Sequence, residues 1–253
     1  MIKRFENRKV VITGAGGGLG RTAAVSFAGE GATLILLDIN AAGLTETAAM
    51  VREMGAECST HAFDIADEYA VRSFGQEICV VHPAIDVLFN NAGIAYGEIN
   101  LPVNKVSKEK WLHYFSVNTI APLLLAEALR PALAEAKGVI INQSSMASYA
   151  PATPYGVTKA ALNSLTYGMA NVFAESGIRV NAIAPGLMET PANREALPAE
   201  THERIRGMQL LDLHGNADDI AKLALFLASD DGRFINCEIV HCDAGNRLRG
   251  WRG

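Results

Sequence analysis

The chain has 253 residues, of which 49% are hydrophobic and 19% charged, with a formal net charge of −5. Such a composition supplies a sizeable apolar core, excludes wholesale disorder, and argues against an electrostatic nucleic-acid binder. The one basic cluster, Arg247, Arg249 and Arg252, is too small for a polyanion site and reads as a solvated or subunit-contacting tail.

The run KVVITG from Lys9 reads as a first strand, and TGAGGGLG over 13–20 as the turn into a helix over 18–29. A second strand, TLILLD from Thr33, ends at Asp38 and precedes a helix over 41–54. A third, CSTHAFD from Cys58, leads to a helix over 67–80. A fourth, IDVLFNNAG from Ile85, leads to one long helix over 107–136. GVIINQSS from Gly138 and a helix over 155–175 follow, then IRVNAIAPG from Ile178. Residues 187–216 show no clear element, and a helix over 217–228 precedes the last strand, CEIVHCDAG from Cys237.

Strands alternating with helices predict βαβ units and a parallel sheet covered on both faces. No linker, repeat or low-complexity tract interrupts them, so one domain over 1–253 is expected. The long stretch 187–216 falls after the sixth strand, above the carboxyl edge of the sheet, and is expected to act as a substrate lid. The N-terminus passes from charged residues directly into a strand without a leader-like segment, and no apolar run reaches the ~18 residues of a spanning helix. A cytoplasmic protein without membrane contact is the expectation. Cys58, Cys79, Cys237 and Cys242 have neither CxxC nor zinc-finger spacing, and the six histidines form no metal pair, so no metal site is expected.

Glycines at the strand-to-helix turn let backbone N–H groups approach a pyrophosphate at the positive end of a helix, where a Cβ would intrude. Asp38 stands 18 residues after Gly20, where a carboxylate can accept hydrogen bonds from an adenosine ribose and repel a 2′-phosphate. No Arg or Lys lies inside the glycine turn or directly after Asp38, so NAD is expected over NADP. Tyr155 and Lys159 are one helical turn apart and share a face. A neighbouring ammonium favours the phenolate, so the Tyr155 pKa is expected to fall from about 10. Tyr155 would then serve as general base or acid. Ser145, or its neighbour Ser144, would hydrogen-bond the substrate oxygen.

With TGAGGGLG, NNAG at 90–93 and the YxxxK pair in hand, the chain resembles the short-chain dehydrogenase/reductase family along nearly its whole length. The resemblance implies an α/β fold, a single-domain Rossmann-type doubly wound seven-stranded parallel sheet with helices on both faces. It implies Asn118, Ser145, Tyr155 and Lys159 as the catalytic set. Asn118 would anchor a water linking Lys159 to solvent, and Lys159 would also hold the nicotinamide ribose. For the cofactor it implies Gly14, Gly16, Gly18, Leu19 and Gly20 of the turn, Asp38, and Asp64 with Ile65 beside the adenine. Asn90, Asn91 and Gly93 of the fourth-strand motif join them, with Pro185, Gly186, Met188 and Thr190 toward the nicotinamide amide.

The chain departs from the family pattern in two places. Ser145 stands ten residues before Tyr155, a shortened spacing that leaves Ser144 open as the donor and should reshape one pocket wall. Cys237 and Ala244 replace glycines of the last strand. The resemblance also implies a homo-oligomer, a tetramer or a dimer, with small residues Ala160, Ala161, Gly168 and Ala170 permitting close helix contact. Tyr96, Met146, Tyr149, Met188, Asn193 and Arg194 are candidates for the border of a small-molecule pocket, and His202 and His214 for substrate contacts. Against an oxidoreductase acting on a secondary alcohol or ketone stand a catalytically silent NAD sensor or scaffold, and an epimerase or dehydratase of the same fold.

Overall fold

The computed structural model describes residues 3–251; the side chains of 191, 192, 196 and 249–251 are not described, so Arg252 and the Arg249 side chain of the basic tail lie outside the described residues. Seven parallel strands form one sheet in the order β3-β2-β1-β4-β5-β6-β7. They are β1 (Lys9–Thr13), β2 (Thr33–Asp38), β3 (Cys58–Ala62), β4 (Val87–Asn90), β5 (Val139–Gln143), β6 (Arg179–Pro185) and β7 (Ile239–Cys242). The central strands are near-continuous Val, Ile and Leu because helices bury both faces, which is the signature of a doubly wound sheet.

One face is covered by α1 (Gly18–Gly29), α2 (Ala41–Glu53) and, near the far end of the chain, α10 (Ala217–Ala228), which pack with Phe27, Leu36, Phe89 and Ile220. The opposite face is covered by α3 (Glu68–Val81), α5 (Ala121–Ala128), α6 (Arg130–Ala136) and α7 (Pro154–Phe173), around Val11, Leu88, Ile140 and Phe173. The strand order reverses between β1 and β4, so their carboxyl ends diverge into the crevice where open α/β sheets hold ligands.

Helix starts follow from their caps. Asn40 accepts from Gly43 N–H, Asp67 from Tyr69 and Ala70, and Asn216 forms a reciprocal capping box with Asp219. Helix α1, like α5 and α6, starts without a side-chain cap. Gly17 precedes α1 and no acidic residue stands in its first turn, so its end N–H groups meet no competing side chain.

The structure corrects the single helix expected over 107–136. It contains α4 (Lys108–Phe115), a π-turn at Ser116–Ile120, then α5 and α6. Pro122 lacks the N–H that would reach the carbonyl of Asn118, and Pro131 lacks the one that would reach Glu127, so regular bonding fails at both places. The stretch 187–216 is also more regular than expected: it holds α8 (Pro191–Ala196) and α9 (Ala199–Arg206). Its two ends meet in a bridge between Met188 and Gly215. Ala170 is buried in the core and presents no surface for helix contact, whereas Gly168 is exposed.

Both glycine replacements in the last strand sit where glycine would be at ease: Cys237 has φ 63° and Ala244 φ 50°. A Cβ in the left-handed region costs about 1 kcal/mol. Ala244 keeps that conformation while its carbonyl receives the N–H groups of Leu210 and Leu211, tying the 187–216 stretch to the end of β7. All four cysteines are free thiols. Among the described residues no helix is long and apolar enough to cross a membrane, and no cluster of His, Cys, Asp and Glu could hold a metal.

Candidate active site

The glycine turn is shaped by side chains from three strands. Asp38, at the end of β2, accepts from Gly16 N–H (2.8 Å) with one oxygen and from Asn40 N–H (2.8 Å) with the other. Asn91, just past β4, donates to the carbonyls of Thr13 (2.9 Å) and Gly14 (3.2 Å), and Ala92 N–H bonds the Thr13 hydroxyl. Gly20 packs so closely that a Cβ there would stand 2.1 Å from the Gly14 carbonyl oxygen. At Gly17 and Gly18 a Cβ would meet no protein atom within 4 Å, so the turn opens there to the crevice.

Two residues not anticipated from the sequence buttress this turn from behind. Thr47 of α2 donates to the Ala15 carbonyl (2.7 Å), and the Arg21 guanidinium donates to the Gly16 carbonyl (2.7 Å). Arg21 is a cation near the turn, although none lies inside it. Glu46 pairs with it at 2.7 Å, so its charge is compensated locally.

Of the other residues expected at the cofactor, Asp64 lies two residues beyond β3, where it accepts from Ala66 N–H. The Ile65 side chain is buried in the core with Val11 and Leu37. Asn90 turns inward, donating to Asn142 Oδ1 (2.9 Å) and the Pro122 carbonyl, and so joins β4, β5 and α5. Gly93 sits where a Cβ would come 3.2 Å from Asn118 Oδ1 and 3.3 Å from Lys159 Nζ, which brings these three residues together. Pro185 ends β6, and Gly186 lies tight against Asp243. Met188 and the partly buried Leu19 pack on the α1 face of the sheet, and Thr190 caps α8.

The π-turn places Asn118 fully inside the protein. Its amide accepts from Ile94 N–H (2.7 Å) and donates to the Ile94 carbonyl (2.9 Å) and the Thr158 hydroxyl (3.1 Å). A π-turn at a site of this kind carries an extra residue that a regular helix could not turn inward. Helix α7 starts with Thr153 as cap and Pro154 in its first turn, which sets Tyr155 and Lys159 at the carboxyl edge of the sheet. Ser145 hydrogen-bonds the Tyr155 phenol. The neighbouring Ser144 is buried and donates to Asn163 on α7, so the geometry assigns the Tyr155 side to Ser145 despite the short spacing.

The expected depression of the Tyr155 pKa is not found in the protein alone. Burial pushes the phenol above its ordinary value; the Ser145 hydrogen bond opposes that, and the Tyr96 phenol adds to it. The Lys159 ammonium is directed to the Gln143 carbonyl (2.7 Å) and lies 5.9 Å from the Tyr155 ring centre. Lys159 is itself pulled down to about 8 by burial.

Among the pocket candidates, the Tyr96 phenol donates to Asn193 Oδ1 on α8 (2.9 Å), and His202 meets the Asn193 carbonyl (3.2 Å). Arg194 and His214 both bind Glu189 at the base of the 187–216 stretch. Tyr149 lies against His241 of β7, with ring centres 4.5 Å apart. Met146 begins the short turn that Ser145 caps. A cavity of about 530 Å³ beside Met188, His214, Asp219 and His241 is lined by none of Ser145, Tyr155 or Lys159.

The crevice at a strand-order reversal, the uncapped glycine turn and the Ser–Tyr–Lys cluster give the carboxyl edge of the sheet the features of a candidate dinucleotide-type oxidoreductase site. A family model described as enoyl-(acyl carrier protein) reductase matches residues 14–247, and the chain belongs to the short-chain dehydrogenase/reductase family. The oxidoreductase YxbG of Bacillus subtilis is 34% identical over 262 residues, covering 99% of this chain and 94% of that protein. Levodione reductase of Leifsonia aquatica is 32% identical over 255 residues, covering 96% and 95%. The crystal structure of an NAD⁺-bound xylitol dehydrogenase superposes with TM-score 0.87 at 27% identity, covering 96% of this chain and all of that one.

Proposed function

We propose that this chain is an NAD-dependent dehydrogenase/reductase that moves a hydride between the nicotinamide and a secondary alcohol or ketone, with Tyr155 as general acid/base. The observation that carries the reading is the meeting of Ser145, Tyr155 and Lys159 at the carboxyl edge of β5, the sheet edge that also bears the glycine turn after β1. Relatives named for the reduction of a ketone or the oxidation of a polyol, one with NAD⁺ bound, support the substrate class and the cofactor.

The residues fit a dinucleotide. The open face of Gly17 and Gly18 is a cradle that any Cβ would fill, and the α1 N–H groups behind it are free of side-chain caps. Asp38 keeps lone pairs for ribose hydroxyls beyond the two N–H groups it binds. The nicotinamide, when bound, supplies the hydride acceptor or donor. Ser145 orients the substrate oxygen, and Tyr155 Oη takes the alcohol proton in oxidation or returns it in reduction. The Lys159 ammonium, 5.9 Å from the Tyr155 ring centre, supplies positive charge near the phenol while it stays protonated, up to about pH 8. The 187–216 stretch would act as lid, joined to the site by the Tyr96–Asn193 bond. Exposed Leu112 on α4, Ile120 in the π-turn, and Tyr167 and Val172 on α7 support a homo-oligomer built through these elements.

Replacing Asp38 with Ala removes both the ribose acceptor and the charge that repels a 2′-phosphate. The ratio of kcat/KM for NAD over NADP should fall by at least about 30-fold, a loss of about 2 kcal/mol of discrimination. An unmodified protein that already prefers NADP would overturn the cofactor assignment.

The pH dependence follows from the sign of the Tyr155 shift. A phenol raised by burial stays protonated through neutral pH, so alcohol oxidation, which needs the phenolate, should climb steadily from pH 7 toward pH 10. Carbonyl reduction, which needs the phenol, should stay nearly level over the same interval, because a phenol raised above its ordinary value remains mostly protonated there. Parallel initial-rate profiles check this, and an oxidation rate that is flat across the interval would remove Tyr155 from the proton transfer.

A further inference from the structure

We infer that the side-chain amide of Gln143 is a cofactor-binding group whose Oε1 accepts a hydrogen bond from the carboxamide N–H of the nicotinamide, an inference that rests on the function proposed above. Gln143 is the last residue of β5, directly before the Ser144–Ser145 pair. Its Oε1 is buried without any hydrogen-bond partner. A buried acceptor left unpaired disfavours the folded chain, so its retention points to a donor that arrives with a ligand.

Among the described residues two other buried side-chain atoms are unpaired, and neither is placed for this purpose. Asn90 Oδ1 belongs to a side chain 3% exposed that is already fixed by two donated bonds inside the protein. His241 Nε2 lies on the edge strand, in a ring packed against Tyr149. Gln143 alone of the three combines a partly open side chain with a place at the carboxyl edge of a central strand, the edge at which a ligand would arrive.

Strand alternation fixes the direction. Asn142 faces the α7 layer, where its amide donates to the Thr166 hydroxyl (3.0 Å). Gln143 therefore faces the other layer, that of α1, α10 and Met188. Its carbonyl meanwhile holds Lys159, which approaches from α7. An acceptor needs a donor, and the nicotinamide half of a dinucleotide offers two kinds: ribose hydroxyls and the carboxamide amine. Lys159 and Tyr155 answer the ribose from the α7 side. The carboxamide has two N–H donors, so one can serve Gln143 while the other faces the 185–190 segment.

The test uses NAD and 3-acetylpyridine adenine dinucleotide, in which a methyl group replaces the amide nitrogen, with affinities from isothermal titration calorimetry. The unmodified protein should bind NAD at least about tenfold more tightly than the analogue. Gln143→Met should lose about tenfold for NAD and under twofold for the analogue, so the preference collapses. Its melting temperature without cofactor should be equal or higher, because the unpaired acceptor is gone. Gln143→Glu, isosteric and still an acceptor, should keep the preference. Unchanged discrimination in Gln143→Met, or equal weakening for both ligands, overturns the inference while leaving the proposed function standing. Failure of the unmodified protein to bind either dinucleotide overturns the proposed function itself.

Discussion

Tyr155→Phe is expected to lower kcat by about 10³-fold or more while changing the dissociation constant for NADH by less than threefold. Proton transfer by a positioned group contributes about 10² to 10⁴ in rate, and the Tyr155 phenol is bonded by Ser145 with the Lys159 ammonium 5.9 Å from its ring centre. Phenylalanine keeps the ring and its volume, so α7 retains its Thr153 cap and its buried face of Leu162, Met169 and Phe173. Ser145 loses one partner but still accepts from Ala147 N–H (3.1 Å). Steady-state turnover with a reactive alcohol, NADH fluorescence titration and thermal melting together separate chemistry from folding. A variant retaining a tenth of the turnover would show that the proton travels by another group.

Gly20→Ala is expected to abolish measurable cofactor binding and to destabilise the fold by about 3 kcal/mol, the upper end for overpacking a rigid site. The new Cβ would lie 2.1 Å from the Gly14 carbonyl oxygen and 2.6 Å from Asn91 Nδ2, and neither can yield cheaply. Gly14 is backbone, and Asn91 is the brace that ties β4 to the turn. The informative control is Gly17→Ala. Its backbone is extended, φ −177°, and no protein atom waits within 4 Å. It should melt within about 0.5 kcal/mol of the unmodified protein, as ordinary surface changes do. Yet it should weaken NADH at least about tenfold, because its methyl group occupies the cradle. Normal NADH affinity in Gly17→Ala would move the pyrophosphate away from this turn.

The sequence legibly carried everything that depends on local rules. Seven apolar strand runs, the glycine turn, the cap residues and the one-turn spacing of Tyr155 and Lys159 are all short-range patterns, and helices α1 and α10 begin and end where the periodicity places them. The break in 107–136 was also present in the sequence, in Pro122 and Pro131, but the continuous apolar periodicity on either side masked it. The helices inside 187–216 were less visible because α9 is short, polar and without a buried side chain.

What the tertiary structure alone decided is which neighbours each group meets once it leaves water. Ser145 is distinguished from Ser144 by Asn163, nineteen residues further on. Arg21 reaches the glycine turn only because α2 brings Thr47 and Glu46 beside it. The Tyr155 phenol rises rather than falls because desolvation sums over every atom around it, while a charge one helical turn away is a single contribution that a nearer carbonyl has drawn aside. Spacing along a chain fixes the pairwise geometry of near residues. The dielectric surroundings and the satisfaction of buried polar atoms, such as Gln143 Oε1, are properties of the whole packed sheet.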